Sequence, residues 1–170
     1  MRHHSANIAS GPASAPVVAP ALPAWDLSDL YPGLDSPALE ADFSAAEAAS
    51  RKFQAAYAGR LEKISGRVLA TAIAEYEAIE ETLGRIMSYA QLLFAGDSTD
   101  AKLGKFYQTA SERVTGISSH LIFFTLELNR LDDAALEARM ADPELARYRP
   151  WLRDLRVFRP HQLDLSLIHI

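Results

Sequence analysis

Between Ser65 and Arg130 the apolar positions of this chain recur at steps of three and four. Leu69, Ile73, Tyr76, Ile79, Leu83, Ile86, Ala90 and Leu93 form one series. Leu103, Phe106, Ala110, Val114, Ile117, Leu121, Phe124 and Leu128 form a second. That is the period of one helical face; strands would alternate instead. The spacing predicts two long amphipathic helices, about 66–95 and 99–129, folded together through the turn Ala95-Gly96-Asp97-Ser98. Each would run about eight turns, against roughly three or four for an average globular helix.

A preceding helix is expected over 37–58. Ser36 supplies a capping oxygen, Pro37 fits a first helical position that needs no amide donor, and Glu40 suits the first turn. Leu39, Phe43, Ala46, Ser50, Phe53 and Tyr57 lie along one stripe, and Gly59 marks a stop. The second helix begins after Ser65-Gly66. Asp97, Ser98 or Thr99 is expected to cap the third, and Asn129 or the Arg130-Leu131 step to end it. Gly84, Gly104 and Gly116 interrupt the long helices, each at a cost of about 1 kcal/mol relative to Ala. They serve either close helix contact or no purpose.

Shorter helices follow. Asp132 or Asp133 caps one over Ala134–Met140, and Asp142-Pro143 breaks it. Glu144–Phe158 reads as a further helical region, with an interruption before Pro150 left open and Pro160 as its end. Trp151, Leu155 and Phe158 are expected to face inward. Arg149, Arg153, Arg156 and Arg159 are expected to form a solvated face, with partners such as Asp154. The fold class is all-α, an antiparallel helical bundle with short loops.

The ends differ in character. Residues 1–24 are rich in Ala, Pro and Ser, and Pro12, Pro16, Pro20 and Pro23 each remove an amide donor, which predicts a disordered extension. His3 and His4 read as bystanders within it. Trp25-Asp26-Leu27-Ser28-Asp29-Leu30-Tyr31-Pro32 reads as a strap whose apolar residues dock on the helices. Asp164–Ile170 turns short and apolar and lacks the caps of a native helix start. The expected division is an extension over 1–24, a helical domain over 25–163 and a non-native tail over 164–170.

Composition narrows the chemistry. Apolar residues make up 49% of the 170, enough for a core, and charged residues 23%, close to the globular average. The net charge of −5 argues against a nucleic-acid binder, which carries a basic patch. The absence of cysteine excludes disulfides, thiol catalysis and thiolate metal sites, and fits a cytoplasmic protein. No apolar run reaches the roughly 18 residues of a membrane span. No His-Glu-x-x-His places two imidazoles on one helical face. His120 reads as a structural histidine beside the core stripe, and His161 as a turn residue. Glu75, Glu77, Glu80 and Glu81 have no Glu-x-x-His partner motif and are expected to face solvent. Catalytic, cofactor and metal residues are therefore all read as none. Tyr89, Phe94 and Tyr107 are the aromatics that could line a channel, with core packing the plainer role.

The opening Trp25-Asp26-Leu27-Ser28-Asp29-Leu30-Tyr31 resembles the start of the oligoendopeptidase F family, the thimet-oligopeptidase-like zinc peptidases. The segment Tyr89-Ala90-Gln91-Leu92 before a polar turn resembles that family's N-terminal helices. Tyr148 to Leu155, followed by Arg159-Pro160-His161-Gln162-Leu163, resembles its link into the next helices. The resemblance spans Ala24 to Leu163. It implies part of a mainly helical metallopeptidase that cuts short peptides in a deep channel. Zinc would be held by the two histidines of His-Glu-x-x-His and a later glutamate, with the motif glutamate activating water. None of these positions exists here, so the partner implied is a missing C-terminal catalytic domain, and the chain itself is expected to bind no zinc and to be inactive. Leu165-Ser166-Leu167-Ile168-His169-Ile170 resembles translated sequencing adapter at the end of a truncated gene. The rival account is a stand-alone helical module whose long hairpin buries a partner's amphipathic helix; a bundle that carries a metal or cofactor lacks the paired ligands.

Overall fold

The computed structural model describes residues 25–157 and 159. The extension 1–24 with His3 and His4, the tail 164–170, and Phe158, Pro160 and His161 lie outside the described residues. The described part is all helical, in the order α1 (Pro37–Tyr57), α2 (Gly66–Gly96), α3 (Ala101–Ser118), α4 (Ile122–Arg130), α5 (Asp133–Arg139), α6 (Pro143–Ala146) and α7 (Arg149–Arg156). A 3-10 turn, Leu61–Lys63, links α1 to α2.

Local chemistry sets most of these limits. The Ser36 hydroxyl accepts from the Ala38 amide at 3.2 Å, and Pro37 follows it. Ser65 caps α2 by accepting from Val68. Asp132 caps α5 and Asp142 caps α6 in the same way. Gly59 takes a φ of 72°, the left-handed geometry that lets the chain leave α1. The expected cap of the third helix is corrected. Asp97 instead binds Thr99 within the loop, and Asp100 caps α3 through the Lys102 and Leu103 amides.

Pairs of side chains fix the helix directions. Asp42 meets Arg85 and Phe53 meets Tyr76, so α1 and α2 run antiparallel. Tyr89 meets Phe106, and Phe94 lies 3.7 Å from where a Cβ on Gly104 would stand, so α2 and α3 do the same. Glu40 meets Arg113 and Gln54 meets His120, which makes α1 parallel to α3. The predicted stripes supply the core: Leu69, Ile73, Ile86, Ala90, Phe124 and Leu128 are fully buried. Phe53 lies at the centre of an aromatic cluster with Tyr57, Tyr76, Phe123 and Phe124. Burying a side chain of that size stabilises by roughly 1.5–3 kcal/mol.

The predicted single helix over 99–129 is interrupted. At Ser119–Leu121 the hydrogen bonds tighten: His120 N donates to Ile117 O at 3.1 Å, and Leu121 N to Ser118 O at 2.8 Å. The Ser119 hydroxyl donates to Gly116 O at 2.7 Å and competes with the helical ladder. His120 is tied to Gln54 at 2.8 Å, so the break is anchored on α1. The helix resumes as α4, which packs on the Leu61–Lys63 turn and on α7. The predicted region 144–158 likewise divides into α6 and α7 at Arg147-Tyr148.

Burial refines one further expectation and corrects another. On α7 Trp151 and Leu155 pack against the core as expected, half-buried, and Leu152 joins them fully buried. The strap docks through Tyr31, Leu27 and Leu30, but Trp25 stays exposed. A methyl group at Gly84 or Gly116 would meet nothing within 4 Å, and at Gly104 only Phe94 at 3.7 Å. The glycine that permits close contact is Gly66, where an added Cβ would lie 2.5 Å from the Arg139 carbonyl oxygen. There the start of α2 meets the turn between α5 and α6.

Candidate functional site

No three His, Cys, Asp or Glu side chains gather as a ligand set among the described residues. These residues therefore do not fit zinc. Glu75, Glu77, Glu80 and Glu81 are spread along the exposed side of α2, as expected. Glu77 accepts from the Tyr148 hydroxyl at 3.1 Å and helps to seat the C-terminal helices. His120 is half-buried, with its Nδ1 on Gln54, in the structural role that its position suggested.

The three aromatics singled out from the sequence separate. Tyr89 is buried edge-on against Tyr31 and Phe106. Phe94 and Tyr107 stack in parallel near the hairpin tip, with centroids 5.4 Å apart and planes at 7°, and both keep part of their surface exposed. Of these three, Phe94 and Tyr107 keep aromatic surface open to a ligand or partner.

Polar side chains from distant parts of the chain lock the periphery. The Tyr31 hydroxyl donates to Asp42 at 2.6 Å, and Arg85 donates to both, at 3.3 Å to Tyr31 and 2.8 Å to Asp42. Burial, with the Asp42 bond second, pushes the Tyr31 phenol up to about 12. Burial also pushes Tyr76 up to about 12, with the Glu80 charge adding to it. Arg113 grips Glu40 through both of its terminal nitrogens, at 2.7 and 2.8 Å, and lies 3.8 Å over the Phe43 ring. That pairing holds Glu40 below the usual carboxylate range.

The C-terminal helices are held by a third group. Arg156 was expected on a solvated face, yet its side chain is only 13% exposed. It donates to the Leu128 carbonyl at 2.7 Å, to the Leu131 carbonyl at 2.6 Å, and to Asp133. It thus serves carbonyls at the end of α4, where the helical ladder runs out. Arg156 is the main reason that the Asp133 carboxyl lies below its usual range. Arg149 pairs with Glu137 and Arg153 with Asp154 on the exposed face, as expected. Sequence reading missed Arg156, and also the Tyr31–Asp42–Arg85 group. Neither leaves a local signal, since the partners lie 11, 43 and 54 positions apart in one case and 23 to 28 in the other.

This docked C-terminal segment is where the chain is recognisable. Residues 127–167 match the family model Peptidase_M3_N, described as Oligopeptidase F. The match takes in Tyr148–Leu155 and Arg159–Leu163 but not the strap or the Tyr89–Leu92 segment, and it covers less than half of the chain. No curated protein and no solved structure matches. No helix among the described residues is long and apolar enough to cross a membrane. Over residues 127–167 the chain is thus similar to the N-terminal region of the oligopeptidase F family.

Proposed function

We propose that this chain is the N-terminal helical part of a zinc-dependent oligopeptidase that hydrolyses short peptides in the cytoplasm. The observation that carries the reading is the family match over 127–167, whose described residues include α5, α6 and α7, with α6 packed on α2 and α7 on α4. The all-helical fold supports it. In this reading the helices form part of a channel wall. The residues for zinc and for water activation would come from a catalytic domain that follows, which is the chain's natural partner.

The 170-residue chain by itself is then expected to hold no stoichiometric zinc and to cleave no short peptide. Zinc-dependent cleavage by the purified chain would overturn that. The gene offers a second test. Sequencing the template across the codon for Leu163 and onward should show the frame running into a His-Glu-x-x-His segment. A genuine stop after Ile170 would remove the peptidase reading and leave the helical interaction module.

A further inference from the structure

The turn between α2 and α3 holds an Asp–Ser pair, Asp97-Ser98, and the turn before α1 holds another, Asp35-Ser36. An aspartyl carboxyl can react with the amide of the residue that follows it. The backbone nitrogen attacks Cγ, water leaves, and a cyclic succinimide forms. Water then opens the ring at either carbonyl. One product is aspartate again; the other is isoaspartate, in which the main chain runs through the side-chain carbon. Water lost in the first step returns in the second, so no further reagent is needed. The reaction asks for a small following residue, an amide without another partner, and a carboxyl that is free to meet it in its neutral form.

The two pairs share only the first condition. Ser36 is 7% exposed, its amide donates to the Gly33 carbonyl at 3.2 Å, and its hydroxyl caps α1. Turning that amide toward Asp35 would undo the cap. Residues 95–100, in contrast, are all exposed. Among the described residues the Ser98 amide donates no hydrogen bond. What restrains Asp97 is its own carboxylate. Its Oδ1 accepts from the Thr99 amide at 3.0 Å and from the Thr99 hydroxyl at 2.7 Å. Both bonds draw the carboxyl past Ser98 toward Thr99. They also favour its charged form, the Thr99 hydroxyl most of all, and hold Asp97 below the usual carboxylate range.

We propose that Asp97 is the residue at which this chain isomerises to isoaspartate, and that the Thr99 hydroxyl limits the rate. Isomerisation inserts one carbon into the backbone at the hairpin turn and removes the carboxylate that orders it. Asp100 caps α3 through its own bonds, so the change stays at the tip. The proposal is independent of the peptidase reading.

The test ages the purified 170-residue chain at neutral pH, digests it with trypsin, and locates isoaspartate by electron-transfer fragmentation of the peptides. It should accumulate at Asp97 and not at Asp35. Thr99→Val keeps the backbone bond but removes the hydroxyl, and should raise the rate at Asp97 several-fold. Ser98→Val places a branched Cβ beside the attacking amide and should suppress the reaction. Circular dichroism checks that both variants keep the helix content of the parent. Equal isoaspartate at Asp35 and Asp97 would overturn the proposal. So would none at Asp97 by the time a free peptide of residues 86–102 has formed it, or an unchanged rate in Thr99→Val.

Discussion

Replacing Gly66 by alanine should destabilise the chain, although helix propensity alone says the opposite. Gly66 is the buried first residue of α2. An alanine Cβ would lie 2.5 Å from the Arg139 carbonyl oxygen and 3.1 Å from the Asp142 Cβ. Ordinary non-bonded contacts between carbons lie near 3.5–4.0 Å, so the segments would have to part by roughly 1 Å. The near neighbour is backbone at the turn that starts α6, and cannot swing aside as a side-chain tip could. That turn carries the buried Leu145, and Arg139 also donates to the Glu62 carbonyl across the same contact. Overpacking of this kind costs about 1–3 kcal/mol. The gain from replacing glycine in a helix is at most about 1 kcal/mol. The net expectation is a loss of about 1–2 kcal/mol, or about 3–8 °C in Tm.

Gly84→Ala is the internal control. Gly84 is exposed within α2, and its added Cβ would meet nothing within 4 Å. It should therefore gain up to about 1 kcal/mol. Thermal and urea unfolding followed by circular dichroism would compare both variants with the parent chain. Opposite signs are expected. A Gly66→Ala chain as stable as the parent would refute the close approach of α2 to the α5–α6 turn, and with it the placement of the C-terminal helices.

Arg156→Ala should cost about 2–3 kcal/mol in urea unfolding, because two carbonyls lose charged donors, whereas Arg153→Ala should stay within about 0.5 kcal/mol. Equal effects would return Arg156 to the solvated face. Leu152→Ala should cost about 2–5 kcal/mol and clearly more than Leu155→Ala, since Leu152 alone of the two is fully buried. Tyr31 and Tyr76, with phenols pushed up to about 12, keep their protons in the fold at a pH where the unfolded chain releases them near its ordinary value of 10. Their contribution is fully present below pH 10 and is lost as pH rises through about 12. Tyr31→Phe should make the decline between these values shallower; an unchanged alkaline profile would place the Tyr31 hydroxyl outside the Asp42–Arg85 group.

The periodic stripes were legible because burial repeats with the helix, so Leu69 through Leu128 could be assigned to a core before any contact was known. Caps at Ser36 and at Asp132 or Asp133 were legible for a related reason: an N-cap side chain bonds an amide two or three residues away, within the reach of sequence. The break at Ser119–Leu121 was hidden because the stripe Ile117, Leu121, Phe124, Leu128 keeps its spacing through it. What breaks the ladder is a serine hydroxyl and a histidine tied to Gln54 across 66 residues. The same rule explains Arg156. A basic residue on a short helix reads as solvated until the carbonyls at the end of α4 are placed beside it. It also explains Gly66, where an unremarkable glycine at a helix start gains its meaning from a turn more than 70 residues later. Along the α1–α3 seam, Glu40 and Arg113 are separated by 73 positions, and neither stands out alone. Local periodicity thus builds the frame, while the groups that lock its periphery are assembled by contacts that no local pattern encodes. Arg113 is the sharpest instance: one side chain both grips Glu40 and lies over the ring of Phe43.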